Sequence, residues 1–530
     1  MRRDFAALSC QSFDLLVCGG GIYGAWTAYD AALRGLKVAI IEQNDWASAT
    51  SSASSKLIHG GLRYLETYDF KLVSKSLKER ELLLRIAPHR VWSLQFSIPL
   101  YTYQRNYYLN RFKLKIGLML YDWLAGKLRS KAYHRYLDAE SLMAHFPYLR
   151  SNELKGSFIY SDAQTDDARL VLELIAGALD AGAYCVNYCQ FIQFLAREEN
   201  LNGALIQDQV TEKQQAIYFK QIVFTTGQWL ANNRYSQQWC LLAKGIHLIM
   251  PAVPGDKALL LTARSDGRVF FLIPWYGMTL LGTTDTEFRG DVTNVKVEPS
   301  DIRYLLDAVN DYLQTPWSEQ DIIGHFVGVR VFKREGQLNL QDSPSSVSRD
   351  WELKSQTGDI HYSIGGKITS ARQDAAAIVD KVCTQLGNSR SCATQQLFPW
   401  APSNAFQVWW EQMQSHASVL GIDDESTRWL LRRHGTQTSE IFHRIEKQPQ
   451  RAQRIIPSLP FIYADLLHCA ESEMVIHLDD LLRRRMPLLI LTKLSKEQLQ
   501  HIAQCVADTL NWDAVRVAQE VNRCSNDASL

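Results

Sequence analysis

Hydrophobic positions near the start of the chain fall into three short patterns. DLLVC (14–18) is an unbroken apolar run that stops at consecutive glycines, which predicts a strand buried on both faces. IYGAWTAYDAALRG (22–35) then sets Ala25, Ala28, Ala32 and Leu33 at helical spacing, with Gly35 as the stop. KVAIIE (37–42) predicts a second strand ending at Glu42. Farther along, KQIVFTTGQWL (220–230) reads as a strand reaching Gly227. HYSIGGKITSARQDAAAIVDKV (361–382) reads as a strand, a Gly365-Gly366 turn and a helix from about Thr369. Between these, the region from LLAKGIHLIMPAV to TTDTEF alternates strand-like runs and turns, as an antiparallel sheet would. GNSRSCATQQLFPWAPSN (387–404) has linker composition, and the chain beyond it is helical and charged.

The glycines between the first strand and helix give this pattern a chemistry. In Gly19-x-Gly21-x-x-Gly24, the first glycine permits a tight turn, the second lets the backbone approach a pyrophosphate, and the third lets helix pack on strand. The phosphates would meet the positive end of the helix dipole, with Glu42 accepting from a ribose. The motif fits NAD as well as FAD. It occurs once, so the second nucleotide fold common in enzymes that pass electrons from NAD(P)H to a flavin has no signal here. ATSSASSKLIHGGLRYLE (49–66) follows, with hydroxyl residues suited to phosphate and then Lys56, His59, Arg63 and Tyr64 close together. The alternative is a flexible surface loop, but a linker would have no need of such a density of cations and aromatic groups.

Composition narrows the class. At 530 residues the chain needs two to four domains, and 46% hydrophobic with 21% charged residues is ordinary for a globular protein. A net charge of +1 gives no overall pull toward nucleic acid. The ten cysteines form no C-x-x-C pair, so reduced thiols and no metal site are expected. No secretory signal and no spanning segment are evident, which points to a cytoplasmic protein. YTYQRNYYLNRFKLKIGLMLYDWLAGK (101–127) interleaves aromatics, cations and leucines; it suits either an interfacial helix or an amphipathic core helix. The basic clusters LLRRHG and LDDLLRRRM read as solvated helix faces.

The block ATSSASSKLIHGGLRYLE closely resembles the signature of FAD-dependent glycerol-3-phosphate dehydrogenases, in the D-amino-acid-oxidase-like flavoprotein superfamily. The likeness continues in order through SDAQTDDARLVL, KGIHLIMP, FLIPWYGMTLLGTTDTEFRGD, GVR, SRDWEL, GGKIT and LDDLLRRR. It implies an α/β fold: a discontinuous, Rossmann-like FAD-binding domain, an antiparallel-sheet substrate domain and a C-terminal α-helical domain. The boundaries expected are 1–95, 150–235 and 340–388 for the FAD-binding parts, with 96–149 and 236–339 for the substrate region. A linker at 389–400 leads to the helical domain at 401–530.

The resemblance also implies roles. Gly19, Gly21, Gly24, Glu42, Thr50, Ser51, Ser52, Lys56, His59, Gly60, Gly227, Gly365, Gly366, Lys367, Ile368 and Thr369 would hold FAD. Lys367 would sit near the flavin N1–C2 edge, where a cation stabilises the reduced ring; a solvated lysine at a helix start is the plainer alternative. Arg63, Tyr64, Arg330 and Arg349 would grip a phosphate, with Thr284, Asp285 and Glu287 lining the same pocket. For the hydroxyl proton, His247 is one candidate base and a satisfied core histidine otherwise; Arg330 could instead polarise the substrate.

The implied reaction oxidises glycerol 3-phosphate, a phosphorylated polyol, with quinone as acceptor and attachment to the cytoplasmic face of the inner membrane; a homodimer is compatible. A flavin oxidase of a related hydroxy or amino substrate, or a non-catalytic flavin protein, stays open. Val331 and Gln228 stand where the family usually has proline, and KREGQLNLQ replaces a short acidic stretch, so loop geometry beside the flavin and strict substrate preference are in question.

Overall fold

The computed structural model describes residues 1–65, 68–102, 107–125, 133–198, 201–232, 235–334, 350–403 and 405–527. β1 (Ser12–Cys18) pairs in parallel with β2 (Val38–Ile41), and α1 (Ile22–Leu33) crosses between them. On its other side β1 pairs in parallel with Gln214–Phe224, which pairs in turn with Ile360–Gly365. Val38–Ile41 also pairs with Tyr184–Val186. These strands form the centre of an eight-stranded sheet, and its β1 and β2 residues from Leu15 onward are almost wholly buried. The unbroken apolar runs follow from that burial on two faces.

α1 carries Ala25, Ala28, Ala31 and Ala32 on buried positions, and helices Asp167–Asp180 and Ala371–Leu386 pack against it. Small side chains let three helices share one face of the sheet. Helix Ala371–Leu386 starts two residues after the position expected from sequence.

A second, ten-stranded sheet is built mainly from antiparallel pairs. Cys240–Met250 runs beside Gly324–Lys333 on one side and Met278–Gly282 on the other, as the alternating pattern predicts. The strand Leu154–Thr165, inside an expected FAD-binding segment, belongs instead to this sheet, paired with Val91–Tyr101. α2 (Phe70–Ile86) and α3 (Tyr107–Ala125) pack together beside it. Beyond the linker the chain is helical, from Phe406–Val419 to Ala514–Asp527.

The basic clusters are not solvated faces. Arg433, His434 and Arg485 are fully buried and Arg484 nearly so. Arg433 and His434 share Asp465, while Arg484 and Arg485 share Asp45 from the N-terminal region. Arg169 reaches across to Glu473. Helical periodicity shows that a face carries charge; it cannot show that a distant segment of the chain supplies the counter-charges.

Candidate active site

β1 ends at Gly19, whose φ of +111° is left-handed territory open to glycine. A Cβ there would lie 2.7 Å from the Thr225 carbonyl oxygen. At Gly24 a Cβ would come within 1.8 Å of the Gly19 carbonyl oxygen, so helix and strand meet as closely as the spacing requires. The Gly20 N–H donates to Glu42 at 2.6 Å, and the Asn44 N–H at 2.9 Å. Burial raises the Glu42 carboxyl above its usual range, against the pull of those two N–H groups. The Ser51 hydroxyl accepts from the Ile22 N–H at 2.9 Å, tying the hydroxyl run to the start of α1.

A cavity of about 410 Å³ runs along the carboxyl ends of the parallel strands. Gly19, Gly21, Tyr23 and Glu42 line it beside Cys189 and Phe191; Gly227, Gly365, Gly366 and Lys367 line it from the neighbouring strands. Open α/β sheets bind ligands at this edge. A glycine-lined trough closed by a buried carboxylate, and opening beyond Gly365 onto a second sheet, fits a dinucleotide carrying a further ring system. The residues present therefore fit FAD.

The second sheet contributes His247 and Arg330. Register places His247 opposite Phe326 on one neighbour and Gly282 on the other. Its ring stacks on Phe326, with centroids 4.9 Å apart and planes at 20°. A Cβ on Gly282 would lie 2.3 Å from the imidazole Cδ2. His247 Nε2 shares a hydrogen bond with Ser55 Oγ at 2.9 Å. Burial, then the positive charges of Arg330 and Lys56, hold His247 well below the ordinary imidazole range, so the ring is neutral. Arg330 is oriented by Asp285 at 2.7 Å, the Thr283 hydroxyl at 2.8 Å and the Thr284 carbonyl at 2.9 Å.

The other expected residues divide clearly. Thr50, Ser51, His59 and Ile368 lie on the cavity wall. Gly24, Ser52, Gly60 and Thr369 stand behind it; the Thr369 hydroxyl accepts from the His59 N–H at 3.1 Å, and the Gly60 N–H donates to Asp162 at 3.2 Å. Lys56 is buried away from the cavity, paired with Asp167 at 2.6 Å and 4.7 Å from the Trp275 ring. Tyr64 lies beside Lys367, whose Nζ is 5.1 Å from the Tyr64 ring, with Arg63 on the same short turn. Thr284 is buried beneath the wall, where its hydroxyl accepts from the Ile246 N–H at 3.0 Å. Glu287 is exposed and engages Arg289 at 2.7 Å, so it does not line the pocket. Arg349 and most of KREGQLNLQ lie outside the described residues. Gln228, in the proline position, donates its side-chain amide to the Val292 carbonyl at 3.0 Å.

Sequence reasoning passed over Ser55 and Tyr23. The hydroxyl run marked the region of Ser55 but not which serine meets a histidine 192 residues away. Nothing local distinguished Tyr23, which lies in the first turn of α1 and lines the cavity.

The chain matches the family model described as FAD dependent oxidoreductase over residues 14–348, and the model for the C-terminal domain of alpha-glycerophosphate oxidase over 399–517. It is 32% identical to a glycerol-3-phosphate dehydrogenase of Synechocystis, covering 98% of this chain and 97% of that one. An aerobic glycerol-3-phosphate dehydrogenase of Staphylococcus saprophyticus is 31% identical over 90% of this chain and 87% of its own. Among solved structures, the glycerol-3-phosphate dehydrogenase from Bacillus halodurans complexed with FAD superposes with a TM-score of 0.77 at 26% identity, covering 98% of this chain and 95% of that one.

Proposed function

Because the chain belongs to the FAD-dependent oxidoreductase family, we propose that it oxidises sn-glycerol 3-phosphate to dihydroxyacetone phosphate and passes the electrons to a quinone. The names of its relatives support the substrate. The observation that carries the reading is that neutral His247, the clamped Arg330 and Lys367 line the same cavity.

Gly19, Gly21, Thr50, Ser51 and Glu42 would hold the pyrophosphate and adenosine ribose of FAD, and Gly365, Gly366 and Lys367 the ring. When bound, FAD supplies the acceptor for the hydride leaving the carbinol carbon. His247 takes the hydroxyl proton, and being neutral it has a lone pair to do so. Arg330, held by Asp285, Thr283 and Thr284 on the cavity lining, turns its positive charge toward the substrate oxygens. Arg63, Tyr64 and Arg349 complete the phosphate grip in this reading.

Quinones partition into lipid, and α3 supports contact with a membrane surface. Its outward positions Tyr108, Phe112, Ile116, Met119 and Trp123 are exposed at helical spacing, with the exposed cations Lys113 and Lys115 among them. Its inward positions Leu118, Tyr121 and Ala125 join the core, so one helix serves both of the readings its sequence allows. Among the described residues, no helix is long and apolar enough to cross a membrane.

Steady-state turnover of glycerol 3-phosphate with a water-soluble quinone analogue, compared with oxygen, tests the proposal. Rapid quinone reduction with slow peroxide release is expected. Oxygen as the faster acceptor would contradict the assignment of quinone.

A further inference from the structure

His247 is confined on two sides, yet neither confinement sets which ring edge faces the cavity wall. Stacking on Phe326 and the space left by Gly282 both act on the ring as a plane. Turning the imidazole by 180° about its Cβ–Cγ bond exchanges Nε2 with Cε1 and Nδ1 with Cδ2. The stack tolerates either orientation. Ser55 does not, because a hydroxyl that meets Nε2 at 2.9 Å would then meet a carbon. Among the described residues Ser55 is the hydrogen-bond partner of this ring, and Nδ1 has none.

Ser55 is itself held firmly. On one side, the Ser54 hydroxyl donates to Asp167 at 2.6 Å and its backbone N–H donates to the same carboxylate at 3.0 Å. On the other, Lys56 has a φ of +58°, an uncommon conformation for a side-chain-bearing residue. It is fixed by its ion pair to Asp167 and by donation from Nζ to the Ser52 carbonyl at 3.0 Å. A buried lysine and aspartate thus keep one serine hydroxyl aimed at one imidazole nitrogen.

We infer that Ser55 is a positioning residue for His247: its hydroxyl selects the ring orientation in which the imidazole can take the substrate proton. The inference rests on the function proposed above for His247. It adds a second device to that function, since the charged groups around the ring, Arg330 and Lys56, act on its protonation and not on its orientation.

The test uses FAD-loaded Ser55→Ala and Ser55→Thr. In Ser55→Ala, FAD content and KM for glycerol 3-phosphate stay at wild-type levels. The rate of anaerobic flavin bleaching at saturating substrate falls about 10-fold or more, less than the roughly 100-fold or greater loss of a whole general base, because the imidazole is still present. Ser55→Thr restores most of that rate, because it keeps the hydroxyl. Equal losses in both variants, an unchanged rate in Ser55→Ala, or loss of FAD would each overturn the inference. A second readout needs no turnover: nitrogen NMR of 15N-histidine-labelled protein should show the His247 ring resonances displaced in Ser55→Ala and near wild type in Ser55→Thr. Identical spectra in all three proteins would overturn the inference even if glycerol 3-phosphate were not the substrate. A wild-type protein that fails to bleach would count against the proposed function alone.

Discussion

The Tyr23 hydroxyl accepts a hydrogen bond from the Lys367 backbone N–H at 3.1 Å, joining the first turn of α1 to the turn that carries the cavity lysine. The same hydroxyl donates to Asp374 at 2.8 Å, and a Cβ on Gly366 would fall 1.7 Å from it. The two ends of the proposed cofactor site are therefore braced against each other by one side chain. Tyr23→Phe should fold and bind FAD while losing roughly 2–3 kcal/mol of stability, since it removes two hydrogen bonds, one of them to a carboxylate. Thermal unfolding of the FAD-loaded protein checks this.

Lys367→Met should make the flavin reduction potential more negative. A cation at the ring stabilises the reduced, negatively charged form more than the oxidised one, so removing it disfavours reduction. Potentiometric titration of the purified variant measures the shift. An unchanged potential would place the Lys367 charge away from the ring.

Removal of one partner from the seam between the N-terminal and helical regions should be costly. Asp45 takes Arg484 at 2.5 Å and Arg485 on its two oxygens, three residues beyond Glu42. The next residue, Trp46, packs where a Gly20 Cβ would come within 2.4 Å of its ring. Arg485→Met leaves a buried carboxylate short of a partner, a change that costs roughly 3–5 kcal/mol in buried pairs. A drop in unfolding midpoint with weakened FAD retention is expected.

Acid should open the same seam. Burial alone would raise the Glu473 carboxyl, but Arg169 and the neighbouring histidines bring it to about 2 from its ordinary value of 4.5. Burial also opposes the charge on Glu173, which His89 and Arg90 bring to about 2. A carboxyl depressed on folding contributes stability that is complete above its unfolded value and is lost as pH falls through the folded one. Denaturant midpoints should hold above pH 4.5 and decline toward pH 2, with a shallower decline in Glu473→Gln.

Substituting Phe112 and Trp123 by glutamate should abolish co-sedimentation with anionic vesicles while leaving anaerobic flavin bleaching intact. Both side chains are largely exposed and distant in role from the cavity. Retained sedimentation would remove α3 from the proposed membrane contact.

The parts legible in the sequence are those whose cause is local. Gly19, Gly24 and Glu42 announced a strand-turn-helix-strand because each acts within about one crossover of the others. Gly365-Gly366-Lys367 was visible for the same reason. Pairings made by distant strands were not: Ser55 reaches His247, and Asp285 holds Arg330, only after the second sheet has formed. Charge was the least legible property. Arg433, Arg485 and Lys56 look like solvent-facing or ligand-facing cations in sequence, and each proves to be buried against a carboxylate from elsewhere in the chain. Glu287 shows the converse, since its place in a motif did not bring it to the cavity.

Anaerobic addition of sn-glycerol 3-phosphate to the purified yellow protein tests the central claim most directly. Bleaching of the flavin absorbance, with one dihydroxyacetone phosphate formed per flavin reduced, is the predicted result. A flavin that stays oxidised with saturating substrate would contradict it.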